Sequence, residues 1–200
     1  MQDWRHGGLL TILGACVLIG ALVAQKQTGR ADSTRRVPVV FSDGHETDPR
    51  DRGRPVALIA AALGVPSDVF RKAFSHVRPA PAGTEPAPRQ VRKNKEALLG
   101  ALSRYGVTNE RLDTVSDYYR YVRSRGELWP TKSAAAYAVV ENGKIVRFVV
   151  TDGGSGYSSP PKVTVPGFED VAAKVKLSFG KEFETNGSIA TITLSSDTKN

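Results

Sequence analysis

The hydrophobic period of this 200-residue chain changes once, at "ELWP" (residues 127–130), and that change limits the folds open to it. Upstream, apolar residues recur three and four positions apart, the spacing of one helix face. Downstream they alternate, the spacing of a strand with one wet side. Helices followed by strands read as an α+β protein. We expect a small helical bundle of about four helices over residues 55–128. A small antiparallel β unit of four to six strands should follow over residues 129–200, with disordered last residues.

The helical stretch divides at its glycines and prolines. "PVALIAAALG" has Pro55 in the first turn, strong helix formers, and Gly64 as a stop. "VPSDVFRKAFSHV" lines up Val69, Phe70, Ala73, Phe74 and Val77, with Ser67 as the N-cap. Four prolines in residues 78–88 demand a loop. The next helix carries Val91, Leu98, Ala101, Leu102 and Tyr105 on one stripe and ends at Gly106. A last one starts at Thr108 or Asn109 and runs to Gly126 with Leu112, Val115, Tyr119 and Val122 inward. Each stripe must be buried against another, hence a bundle.

In the second half, Asn142-Gly143 between two alternating runs predicts a type I′ hairpin. "PKVTV" and "AAKVKLSF" read as further strands, and "TNGSIATITL" repeats the Asn-Gly device before a final one. Between them lies "TDGGSGYSSPPKVTV". A phosphate-cradling loop needs glycines leading into a helix, whereas these lead through two prolines into a strand. Gly153, Gly154 and Gly156 should therefore supply special backbone angles at a strand-to-strand corner. Tyr157 should pack over it, and Pro160 and Pro161 should protect an edge.

These residues resemble a β-repeat of phage tail and bacterial surface proteins, in which a strand, Asn-Gly-x-Ile, Gly-Ser-Gly-Tyr-x-x-Pro-Pro and a valine-rich strand recur. The middle of the chain, with "GHETDPRDRGRPVALIAAALGVPSDVFRKAF" and "NKEALLGALSRYGVTNERLDTVSDYYRY", is similar to uncharacterised exported bacterial proteins in which such a helical part precedes the same unit. The resemblance implies architecture and export, and carries no activity or site.

The N-terminus agrees with export. Arg5 precedes an uncharged run over residues 7–24, and small residues follow before Asp32. Residues 1–31 read as a signal peptide, sending the protein to the periplasm, the cell surface or the medium; the alternative is a membrane anchor at residues 7–24. Four basic residues after the run (Lys26, Arg30, Arg35, Arg36) pull the other way under the positive-inside rule. Residues 32–54 read as an extended linker or arm, with "VPVVF" docking as a strand. The lone cysteine, Cys16, excludes an intrachain disulfide and multi-cysteine zinc sites. No cofactor is called for.

The formal charge of +8 is local. Residues 54–132 hold fourteen Lys/Arg against seven Asp/Glu, whereas the flanking segments are nearly balanced. Arg89, Arg92, Lys93 and Lys95 crowd one helix start, and Arg120 and Arg123 interleave with Tyr118 and Tyr121 near the end of the next. Charge with stacking groups is what a polyanion needs, nucleic acid or, in an exported protein, an anionic envelope polymer; the plainer alternative is a solvated face. Asp43, His45, Glu46, Asp48 and Asp51 offer metal-ligating atoms within nine residues. Arg50, Arg52 and Arg54 are at hand to neutralise them, and salt bridges with Asx turns are the favoured reading. No pair of groups is singled out for catalysis. The sequence thus supports an exported structural or binding module of the cell envelope, with an unknown protein or envelope polymer as partner and membrane contact only through its N-terminal segment. A polyanion-binding protein, and an envelope enzyme with a site between the two halves, are the alternatives.

Overall fold

A computed structural model describes residues 34–78, 84, 87–122 and 125–195, all within one compact unit, Asp32–Asn200. The signal or anchor segment with Cys16, the candidate Arg123 and the last five residues lie outside the described residues. The protein is α+β: among the described residues there are four α-helices and seven strands.

Helix α1 (Val56–Leu63) is the central one, with Val56, Leu58, Ala60, Ala62 and Leu63 all buried. Gly64, at φ 73°, ends it by turning its N–H back to the carbonyls of Ala60 and Ala61. Helix α2 (Ser67–Phe74) buries Phe70 and Ala73. Its N-cap is Pro66 rather than Ser67, because an extended Pro66 already sets the entry and Ser67 is the first helical residue. Helix α3 (Pro88–Leu102) continues into a 3₁₀ turn, Ser103–Tyr105, that Gly106 closes at φ 80°. Of its expected stripe Leu102 is fully buried, while Val91 and Tyr105 remain exposed. Helix α4 (Asn109–Tyr118) is capped by the Thr108 hydroxyl, which accepts from the Arg111 N–H.

Helix α4 stops at Tyr118, well short of Gly126. Tyr118, Tyr119 and Tyr121 all pack against the helical core. A regular helix would spread three such neighbours around its circumference, so the chain leaves the helix to bring them inward. Val122, expected inside, is exposed as a consequence.

The arm is part of the β structure. Strand β1 (Arg35–Pro38) pairs antiparallel with β3 (Ala135–Glu141), which pairs with β4 (Lys144–Asp152), giving a three-stranded sheet in the order β1-β3-β4. Strand β2 (Val40–Ser42) pairs with β5 (Lys162–Thr164), and β6 (Ala173–Ser178) with β7 (Ser188–Leu194), both antiparallel. The β3–β4 hairpin turns through Asn142 and Gly143, both at positive φ, as its sequence predicts. Val37, Ala138, Val140, Ile145 and Val165 form one small core; Ala136, Tyr157, Ile189 and Ile192 form another.

The second Asn-Gly is not a hairpin turn. Nine residues, 179–187, connect β6 to β7, and Asn186 avoids positive φ. It is fully buried instead. Its Nδ2 donates to the Leu58 carbonyl and to the Tyr119 hydroxyl, each at 2.8 Å, and its Oδ1 accepts from the Gly180 N–H at 3.2 Å. One amide therefore ties α1, the end of α4 and the β6–β7 connection together. Burial pushes the Tyr119 phenol up to about 12, so Tyr119 is neutral in the folded protein at ordinary pH.

The glycine segment runs as a strap between two backbones. On one side Ser155 exchanges both main-chain hydrogen bonds with Lys132, at 2.9 and 3.0 Å. On the other, the N–H groups of Gly156 and Tyr157 donate to the carbonyls of Asn186 and Gly187, and Gly153 O accepts from Ile189 N–H. Gly154 and Gly156 have positive φ, whereas Gly153 does not; a Cβ there would lie 2.9 Å from the Ile189 carbonyl, so closeness is its requirement. Tyr157 is buried, and its hydroxyl accepts from the Ala134 N–H. Pro160 is exposed, while Pro161 is buried against Gly44.

Candidate anion-binding site

Asp48 caps a 3₁₀ turn, Pro49–Asp51, by accepting from the Arg50 N–H at 2.9 Å. The same carboxylate takes the Arg50 guanidinium through Nε and Nη2, and this hydrogen bonding holds Asp48 down at about 2. Arg52 leaves the turn in the left-handed region, at φ 52°. Gly53 follows at φ 86°, and the Tyr121 hydroxyl donates to its carbonyl. Arg54 then folds back so that its Nη1 donates to the Asp51 carbonyl at 2.8 Å. The sequence "PRDRGRP" thus becomes a tight loop with arginines at every second position.

The turn is fastened to α2 by a second fork. Arg71 Nε and Nη2 meet the two oxygens of buried Asp51 at 2.7 and 3.0 Å, and Nη1 meets Asp68 at 2.9 Å. Those contacts hold the Arg71 pKa above the ordinary arginine value. Between the turn and α2 lies a hollow of about 420 Å³ lined by all four arginines (50, 52, 54 and 71) and by Asp51, whose carboxylate Arg71 holds, with Val56, Phe74 and Val77 as its apolar wall.

The charges in this hollow are unevenly matched. Arg50 and Arg71 have carboxylate partners. Arg52 and Arg54 have no carboxylate ion pair among the described residues. Arg54 is half-buried, with its guanidinium carbon 4.1 Å from the Phe74 ring centroid. Burial, and then the neighbouring Arg52 charge, pull its pKa below the ordinary arginine value. Desolvated positive charge beside an opening favours an anion there.

The acidic cluster is dispersed by the same fold. Asp48 and Asp51 serve the arginines, and exposed Asp43 lies at φ 64°. Glu46 accepts from the Ser159 hydroxyl, the main cause of its lowered pKa, and from the Gly44 N–H. His45 stacks on Tyr157 with ring centroids 5.2 Å apart, and burial lowers its pKa. Among the described residues no three His, Cys, Asp or Glu side chains come together as a metal-ligating group.

The basic helical residues are divided as well. Lys95 is bound to Asp113 at 2.7 Å, and Arg120 to Asp117 at 2.8 Å with both side chains largely exposed. Arg92 is exposed on α3, while Arg89 and Lys93 line a second hollow with Arg78. The tyrosines are engaged inward. Tyr118 stacks on Phe183 at 3.9 Å and 5°, and Tyr121 meets Trp129 edge-on at 5.4 Å. From spacing alone Arg50, Arg52 and Arg54 are partners for nearby acids, and Arg71 has no assigned role. The available signal was the two-residue spacing of three arginines around Gly53.

Comparison with protein-family models, with curated proteins and with solved structures yields no match for this chain.

Proposed function

We propose that this protein is an anion-binding module of the cell envelope, carried there by its first 31 residues. The observation behind the ligand assignment is Arg54. Its guanidinium is half-buried, is hydrogen-bonded to a main-chain oxygen rather than a carboxylate, and borders the hollow shared with Arg52. A phosphate or carboxylate group there would supply the missing negative charge and accept the remaining N–H donors. Val56, Phe74 and Val77 exclude water from one side, which strengthens such a contact. The β unit, resembling repeats of surface proteins, serves in this reading as scaffold.

Calorimetric titration of the full-length chain with pyrophosphate at low ionic strength tests the ligand assignment. Arg54→Gln should weaken binding about tenfold or more, equivalent to about 1.4 kcal/mol. Unchanged affinity in that variant refutes the assignment. Export rests on the uncharged run over residues 7–24 and its flanks. No helix among the described residues is long and apolar enough to cross a membrane. A reporter fused after residue 60 should be active outside the cytoplasm, and activity confined to the cytoplasm would contradict export.

A further inference from the structure

The segment that follows α2 contributes alternate residues to two basic hollows. Ser75 and Val77 line the arginine hollow already described; His76 and Arg78, alternating with them, line the second. The second hollow is larger, about 710 Å³, and its other walls are Ala87, Arg89, Gln90, Lys93 and Asn94 of the α3 start. Its described lining contains no carboxylate. Among the described residues Arg78, Arg89 and Lys93 form no ion pair.

The shared segment is held in place. Asn94 Oδ1 accepts from the Arg78 N–H at 3.0 Å, and Asn94 Nδ2 and Gln90 Nε2 both donate to the Arg78 carbonyl at 2.7 Å. This polar clamp fixes the Arg78 backbone to α3 beside the second hollow, which Arg78 lines. Helix α3 also begins with Pro88 and no acidic residue in its first turn, so the positive pole of its dipole adds to the same field.

We propose that the two hollows form one track for a linear polyanion with repeating phosphate or carboxylate groups and no bases. This rests on the anion-binding reading of the first hollow and extends it to a ligand class. Two hollows that share one chain segment, each with cations that lack a carboxylate partner among the described residues (Arg52 and Arg54 in one, Arg78, Arg89 and Lys93 in the other), suit a ligand whose charges repeat along its length. A single anion would use one hollow only. Single-stranded nucleic acid would need stacking surfaces beside the charge, but Tyr118 and Tyr121 are engaged with Phe183 and Trp129, and the Phe74 ring in the first hollow is covered by the Arg54 guanidinium.

The test compares pyrophosphate, tripolyphosphate and long-chain polyphosphate on the full-length chain. Long-chain polyphosphate should bind about tenfold or more tighter than pyrophosphate per molecule, with a steeper salt dependence. The double variant Arg89→Gln/Lys93→Gln should remove that gain and flatten the salt slope by about two, leaving pyrophosphate binding intact. Arg54→Gln should weaken both. Equal affinity for short and long chains, or no effect of the double variant, overturns the track while leaving the anion site standing. Failure of pyrophosphate to bind removes both. Tighter binding of single-stranded DNA than of polyphosphate at matched charge, or retention by anionic vesicles alone, would also overturn the assignment of a base-free polymer.

Discussion

Asn186→Ala is expected to lower the stability of the fold by about 3 to 4 kcal/mol, read as a lower urea midpoint with unchanged slope. The side chain is fully buried and satisfies three partners from three parts of the chain. Alanine leaves the Tyr119 hydroxyl without its Asn186 donor and the Gly180 N–H without its acceptor, and removes the second donor to the Leu58 carbonyl, at a fully buried position; each buried group left unsatisfied costs about 1 to 3 kcal/mol. The empty volume adds a smaller cavity term. Asn142→Ala is the matched control. Asn142 is exposed in a hairpin turn at φ 50°, so only its preference for the left-handed region is lost, about 1 kcal/mol. If the two variants prove equally stable, Asn186 does not unite the helical and β parts in the manner described.

Gly154→Ala should be at least as damaging, costing about 3 kcal/mol or more. A Cβ at this position would overlap the Lys132 carbonyl oxygen, lie 2.7 Å from the Ala134 nitrogen and 2.9 Å from the Ser133 carbonyl carbon. These are backbone atoms of the segment to which the strap is hydrogen-bonded, so neither side can move without breaking the pairing of Ser155 with Lys132. The positive φ of 62° adds about 1 to 2 kcal/mol of its own. Gly143→Ala separates the two causes. Gly143 has φ 77° and open space around its Cβ position, so that variant should show the conformational cost alone. Thermal melts of the pair measure the difference; a Gly154→Ala protein no worse than Gly143→Ala would contradict the crowding described.

The legible part of this fold is local. Periodicity located all four helices and the β3–β4 hairpin, because amphipathic spacing and Asn-Gly turns act within a few residues. Three features escaped for a shared reason, namely that each is decided by distant contacts. Asn186 has the same Asn-Gly neighbourhood as Asn142, and only the proximity of Leu58 and Tyr119 makes it a buried tie. The end of α4 is set by where Tyr119 and Tyr121 must pack. Arg71 acquires its role through Asp51, twenty residues earlier in the chain. The same distance argument divides the basic residues. Spacing alone could not tell Lys95, neutralised by Asp113, from Lys93, which lines the second hollow. The three alternating arginines were visible as a pattern, but which of them would have a carboxylate partner was not.

In the proposed site Arg52 and Arg54 are open to an anion, while Arg50 and Arg71 are already occupied by acids. Nitrogen–proton correlation spectra of the arginine Nε groups during a pyrophosphate titration observe this directly. The Arg54 and Arg52 resonances should shift together and saturate, with Arg71, held by Asp51, moving little. Uniform small shifts across all arginines, or saturation at Arg104 or Arg120 in place of Arg54, would contradict the site.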